Sequence, residues 1–376
     1  MKSIASPCIL SSHPNQNDVF NTPNITLQLT CLTVSLRCDF SVLNCFNYTD
    51  KKRVSGLAII DIFNGDADGI CALTQLRNAT PVDSKLVTGV KRDIQLMDQI
   101  EAQAGDSITV LDVSLDKNRD GLNAALEAGA EVFYVDHHFA GGIPESDQLT
   151  TIINTAADVC TSILVNGHLK GQFVEWAVTG AFGDNLKDSA RALAQPLGLS
   201  EQELNRLENL GIYINYNGYG SNLEDLHFTP EDLYRQVSPY GSPFDFMNEN
   251  RQSFEKLENG YRSDMASAAN LEAEFVTDRV AAFILPNKPW ARRVSGVYSN
   301  DLANATPTRA HAVFTEKANG NYLISVRAPL DNKVGADELC RSFPTGGGRA
   351  AAAGINDLPA DQLDHFMGQF SQFYNR

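Results

Sequence analysis

The stretch Val132-Phe133-Tyr134-Val135-Asp136-His137-His138 constrains this chain more than any other. Four apolar or aromatic residues run directly into an acid and two imidazoles. A continuous apolar run of that length reads as a strand buried on both faces, as in parallel sheets. Ligands of open α/β sheets collect beyond the carboxyl ends of such strands. The Asp-His-His end therefore points to metal-ligand chemistry in that crevice. The plainer alternative is a strand followed by a polar turn, and other segments weigh against it.

Leu57–Phe63 reads as a first buried strand, ending in Asn64-Gly65-Asp66-Ala67-Asp68-Gly69 before a helix over Ile70–Leu76. Asp66 and Asp68 stand two apart, so an extended turn aims both at one point. One acid suffices for a helix cap; two between glycines fit a cation better. A short strand over Lys85–Val90, a helix through Asp93–Met97, and a strand Ile108–Leu111 ending in Asp112 follow. A helix around Leu122–Leu126 then leads to the organising strand, and Leu149–Ile153 reads as a fifth. This alternation predicts an α/β fold with a doubly wound, mainly parallel five-stranded sheet. Asp66, Asp68, Asp112, Asp136, His137 and His138 all fall just past strand carboxyl ends, which turns separate weak signals into one site.

Helical patterns dominate from Val159 to about Asn270 and form a helical extension. Within them Gly183-Asp184 follows Trp176–Phe182, placing an acid at a helix end. Asn215–Asn222 reads as a long loop whose aromatics suit base stacking or a plain surface role. Arg262, Ser263 and Asp264 head a helical pattern. Beyond Pro286–Pro289, Ala310–Thr315 and Tyr322–Arg327 flank Asn319-Gly320-Asn321, a hairpin signal. A helix around Asp337–Leu339 then precedes Gly346-Gly347-Gly348-Arg349, where a backbone nest and a guanidinium suit a phosphate. The reading divides the chain into a tail (1–56), the sheet with its helical extension (57–270), a linker region (271–290) and a smaller C-terminal α/β domain (291–376).

The tail holds Cys8, Cys31, Cys38 and Cys45, four of seven cysteines, without a C-x-x-C pair. It is expected to lie outside the fold, and a start near Val54 or Leu57 is the corresponding expectation for the natural protein. The odd cysteine count argues against a disulfide framework. No apolar run approaches bilayer-spanning length and no signal peptide stands out, so the expected location is the cytoplasm. A net charge of −16 disfavours duplex nucleic acid, which needs a basic face. An acidic turn after the first strand, where Gly-x-Gly-x-x-Gly would be needed, excludes a dinucleotide-dependent oxidoreductase.

Asp66-Ala67-Asp68-Gly69, Asp112, Asp136-His137-His138 and Gly183-Asp184 together resemble the motifs of the DHH phosphoesterases. Ser325-Val326-Arg327 and Gly346–Gly354 resemble the strand and glycine loop of the DHH-associated domain, so the likeness runs from about Leu57 to the end. The resemblance implies that Asp66 binds one manganese ion and that Asp68, His137 and Asp184 bind another. It implies that Asp112 bridges them, Asp136 orients an imidazole and His138 contacts the phosphate. Asn64, Arg327, Gly346, Gly347, Gly348 and Arg349 are the expected substrate contacts. The chain departs from the pattern at Ile62, where many members have His, at Asn64, where others have Asp, and at Arg349, which replaces the loop histidine. Asn64 offers a neutral amide, which predicts a weaker first cation.

Oxygen-rich ligands with imidazoles suit Mn²⁺ or Mg²⁺. Two such ions about 4 Å apart activate a bridging hydroxide and clamp a phosphoryl group. The expected activity is exonuclease-like hydrolysis of phosphoester bonds in small nucleotides, short single-stranded oligonucleotides or similar compounds. No membrane partner is expected, and a homodimer is compatible with the sequence. The alternative is a regulatory protein that binds phosphates or nucleotides on the same fold with weakened catalysis.

Overall fold

The computed structural model describes residues 57–375; the expected tail and its four cysteines lie outside them. Strands β1 (Ile59–Phe63), β2 (Lys85–Val87), β3 (Ser107–Leu111), β4 (Glu131–Asp136) and β5 (Leu149–Ile153) alternate with helices α1 (Ala67–Ala79) and α2 (Arg119–Glu127). They form a parallel sheet in the order β2-β1-β3-β4-β5. The apolar runs are continuous because both faces are covered. Ile62, Val110, Val132 and Tyr134 pack with α2 on one face, and Phe63, Leu111 and Val135 pack with α1 on the other. Strand order turns back at β1 and β3, so the crevice outside their carboxyl ends is where this topology places a ligand.

The helical part comprises α3 (Thr161–His168), α4 (Val174–Gly183), α5 (Lys187–Ala194), α6 (Glu201–Asn217), α7 (Pro230–Val237), α8 (Pro243–Glu249) and α9 (Arg251–Ala269). Trp176, Leu207, Leu210 and Phe246 join its members to α1 in one core. No helix among the described residues is long and apolar enough to cross a membrane.

A second sheet is built from β6 (Phe275–Val276), β7 (Val280–Leu285), β8 (Ala310–Glu316), β9 (Tyr322–Arg327), β10 (Gly346–Gly348) and β11 (Ala352–Leu358), ordered β10-β11-β9-β8-β7-β6. Helix α10 (Pro289–Ala305) makes the crossover between the parallel pair β7 and β8, and the other pairs are antiparallel. Helices α11 (Ala336–Arg341) and α12 (Leu363–Tyr374) cover one face through Phe366 and Phe370. On the other face α10 packs through Val294 and Tyr298, in a core shared with Tyr216 of α6 and Ala268 of α9.

Several local expectations are corrected. The helix expected through Asp93–Met97 is absent; only a 3₁₀ turn over Met97–Gln99 forms there. Asn215–Asn217 close α6 rather than opening a loop, because Tyr216 is fully buried. Asp264 lies inside α9, which begins at Arg251. The expected linker supplies β6 and β7, and Pro289 opens α10 at a first-turn position where its missing N–H costs nothing. The three glycines are not a nest but a short strand paired with β11. Cys71, Cys160 and Cys340 are buried free thiols.

Candidate functional site

The turn after β1 places Asp66 at the N-cap of α1, where Oδ1 accepts the amides of Asp68 and Gly69 at 3.0 and 3.1 Å. Its Oδ2 meets Lys91 Nζ at 2.5 Å. Burial works to raise the Asp66 carboxyl, but the Lys91 ammonium outweighs it and lowers the group to about 2. Asp68 turns toward the start of α3. Its Oδ1 accepts the amide and hydroxyl of Ser162 at 2.7 and 2.5 Å, and its Oδ2 accepts the Thr161 amide at 2.7 Å.

Asp112 follows β3 with φ of 59°, a left-handed backbone that non-glycine residues rarely adopt. Its amide remains tied to the Val135 carbonyl at 3.1 Å, which fixes the carboxyl against the end of β4. Burial raises the Asp112 carboxyl well above the carboxylate range, and the charges of Asp66, Asp68, Asp184 and Asp136 raise it further.

His137 Nδ1 lies 3.0 Å from the Val159 carbonyl and carries the hydrogen, which leaves Nε2 as a lone-pair donor. That Nε2 stands 3.4 Å from Asp112 Oδ1, 3.9 Å from Asp68 Oδ2 and 4.0 Å from Asp184 Oδ2. His138 Nδ1 donates to Asp136 Oδ1 at 2.8 Å. Burial lowers the His138 imidazole, but the bond to Asp136 and that residue's charge prevail and raise it. Asp136 is fully buried with Oδ2 unpartnered. Asp184 is the C-cap of α4, and Asn185, at φ 62°, ends the helix in the left-handed conformation. Gly183 is required for contact: a Cβ there would lie 2.3 Å from Ala67 Cβ and 2.8 Å from the Gly211 carbonyl oxygen. Burial raises Asp184 as well.

Ligand atoms of Asp112, His137 and His138 all lie within 4.8 Å of one another, and Asp68 and Asp184 border them. Convergent buried carboxylates with one free imidazole nitrogen suit a hard divalent cation. Among the described residues, no lysine or arginine forms a salt bridge with Asp68, Asp112 or Asp184.

A cavity of about 740 Å³ is lined by Arg92, Lys117, Tyr219, Ser325, Arg327 and the Gly346–Gly348 strand, among others, and by none of the cluster's carboxylates or imidazoles. A hollow of about 590 Å³ shares Arg92, Tyr219 and Asn356 with it and reaches Lys91. Three basic side chains gathered here, in a chain of net charge −16, mark an anion cavity. Arg327 is held by Asn300 Oδ1 at 2.7 Å and Ser325 Oγ at 3.2 Å.

The expected Asn64 and Arg349 stand apart from the cavity lining. Asn64 is buried, its amide nitrogen 3.4 Å from the Lys91 carbonyl, and Arg349 is exposed on the β10–β11 turn. Lys91, Arg92, Lys117 and Ser162 were not singled out from sequence. A Lys-Arg pair after the second strand of an acidic chain was the available signal for the first two.

No family model and no curated protein matches the chain. Solved structures do. Exonuclease RecJ bound to manganese superposes with a TM-score of 0.56 over 85% of this chain and 90% of the other, at 16% identity. The chain shares its fold with RecJ. RecJ of Thermus thermophilus in complex with Mn²⁺ gives a TM-score of 0.54 at 15% identity, covering 85% of this chain and 52% of RecJ. PggH, a pGpG-specific phosphodiesterase from Vibrio cholerae, gives 0.50 at 15% identity, over 85% and 99%. At such identities the likeness establishes the fold alone.

Proposed function

We propose that the protein hydrolyses phosphodiester bonds in small nucleotides or short single-stranded oligonucleotides, using manganese held by Asp68, Asp112, His137 and Asp184. The observation that carries this reading is the convergent carboxylate–imidazole cluster at the strand ends, joined through Lys91, which pairs with Asp66 and lines the smaller hollow, to a basic cavity of about 740 Å³. Fold neighbours that bind manganese or cleave a dinucleotide support it. A divalent cation in that cluster supplies Lewis-acid stabilisation of phosphoryl oxygens and lowers the pKa of water.

The chain's own residues do the rest. Ser162 and Thr161 fix Asp68, and Val159 fixes the His137 tautomer, so the cluster is preorganised. Water releases one proton to solvent as it adds to phosphorus, the bond from phosphorus to the leaving oxygen breaks, and that oxygen takes a proton. His138, whose Nδ1 is turned to Asp136 and whose pKa is raised, holds a proton for that oxygen on Nε2. Arg327, Arg92 and Lys117 neutralise the far phosphate, and Tyr219 offers a face for a base.

The regulatory alternative draws on the Lys91–Asp66 pair, which removes one carboxylate from the cluster. A panel decides between them: a dinucleotide, a short RNA, a cyclic dinucleotide, a 3′,5′-bisphosphorylated nucleoside and polyphosphate, each with Mn²⁺ or EDTA. Turnover of one class, abolished by EDTA and by Asp112→Ala, establishes the hydrolase. Tight binding without turnover establishes the regulatory protein.

A further inference from the structure

We infer that the centre takes one divalent cation and that the Lys91 ammonium stands in the place of a second. This rests on the reading of the cluster as a cation site and departs from the expectation of two ions. Asp66 and Asp68 are near neighbours with different fates. Asp68 is bound only by neutral donors, the amides of Thr161 and Ser162 and the Ser162 hydroxyl, so its negative charge remains available. Asp66 has Oδ1 committed to two amides and Oδ2 to the Lys91 ammonium, so its charge is already paired.

Lys91 is not a passing contact. Its Nζ also donates to Asn215 Oδ1 at 2.9 Å and lies 5.3 Å from the centre of the Tyr219 ring. Asn215 and Tyr219 flank the C-terminus of α6, whose Gly218 carbonyl accepts the Lys91 amide at 2.9 Å. Backbone and side chain are thus both anchored. The other residues of the β1 turn cannot replace what Asp66 has given up. Ile62 is fully buried and apolar, and Asn64, whose amide nitrogen faces the Lys91 carbonyl, offers only a neutral, unpartnered Oδ1 in place of a charge. A second dication would have to displace the ammonium, stranding Lys91 from both Asp66 and Asn215, or sit against it, where like charges repel.

The ammonium supplies a fixed positive charge and, with two of its three N–H groups given to Asp66 and Asn215, one donor for a phosphoryl oxygen. Activity then depends on the first power of free metal concentration.

The test is a metal count on the full-length chain, stripped with chelator, loaded with Mn²⁺ and gel-filtered, with electron paramagnetic resonance of the bound ion. The expected result is one ion per chain with an uncoupled six-line spectrum, and two ions per chain in Lys91→Ala. Lys91→Gln, which keeps the side chain's length, serves the same count if the alanine variant does not fold. Two coupled ions in the wild type would overturn the inference and leave the phosphoesterase reading standing. A count unchanged in the Lys91 variants would show that the ammonium is not what excludes the second ion. No bound ion at all in the wild type would overturn both readings.

Discussion

Nε2 of His137 lies 3.4 Å from Oδ1 of Asp112, across the carboxyl ends of neighbouring parallel strands. Each is held from behind, His137 by the Val159 carbonyl and Asp112 by its amide's bond to Val135. His137→Ala and Asp112→Asn should each lower turnover by on the order of 10²–10³-fold. Ser162→Ala, which removes only the hydroxyl on Asp68, should weaken manganese binding by roughly 10–100-fold. Calorimetric metal titration alongside turnover checks both, and a Ser162 variant with unchanged affinity would refute the supporting role.

The β strands and the shared placement of their acids were legible because a parallel sheet buries both strand faces and leaves continuous apolar runs. Lys91 was not legible as part of the site, since its partners Asp66 and Asn215 stand 25 and 124 residues away. Arg327 could be named from its motif, yet Arg92, contributed by the other sheet's loop to the same cavity, could not. β6 has two residues and β7 sits beside prolines, so a sheet edge passed for a linker. Only tertiary packing distinguishes Tyr216, buried against α9 and α10, from a loop aromatic.

Arg327→Ala should cost about 1.5–3 kcal/mol of transition-state binding to a substrate that fills the cavity, the worth of a charged hydrogen bond. The loss should appear mainly in KM. A small chromogenic phosphodiester that reaches only the metal cluster should be nearly unaffected. Equal losses on both substrates would remove Arg327 from the role assigned to it.

The two sheets are joined at α10. Arg293 meets Asp264 of α9 at 2.7 Å and Tyr216 at 3.1 Å, and Arg292 holds Asp225 with Nε at 2.7 Å. Truncating one partner of a buried pair strands the other, so Arg293→Met should destabilise by about 3–5 kcal/mol. Arg292→Ala is more exposed and should cost less. Urea midpoints with unchanged slopes check the ordering, and a silent Arg293 variant would contradict it.

His227 and His311 should each lower stability as pH falls from 6.5 toward about 4, against the raised Asp112, Asp184 and His138, which act in the opposite sense. Burial lowers the imidazoles of His227 and His311 to about 4, with Arg293 and Arg309 adding to it. His227 sits among Tyr216, Asp264, Arg293 and Lys256, and His311 is buried on β8. At these two imidazoles the unfolded chain therefore takes up protons in this window that the folded chain refuses, and their contribution to stability rises with pH. Each group contributes a slope of at most about 1.4 kcal/mol per pH unit. His227→Gln should lower the slope by up to that amount, and an unaltered slope would assign the effect to other groups.

The central claim is that this cluster uses a divalent cation to cleave a phosphodiester. Its most direct test is nucleotide release from a 5′-phosphorylated dinucleotide by chelator-stripped protein as Mn²⁺ is restored. The account predicts no release without metal, mononucleotide products that saturate with added Mn²⁺, and none from Asp112→Ala at any metal concentration. Release that ignores chelator, or that persists in Asp112→Ala, would contradict it.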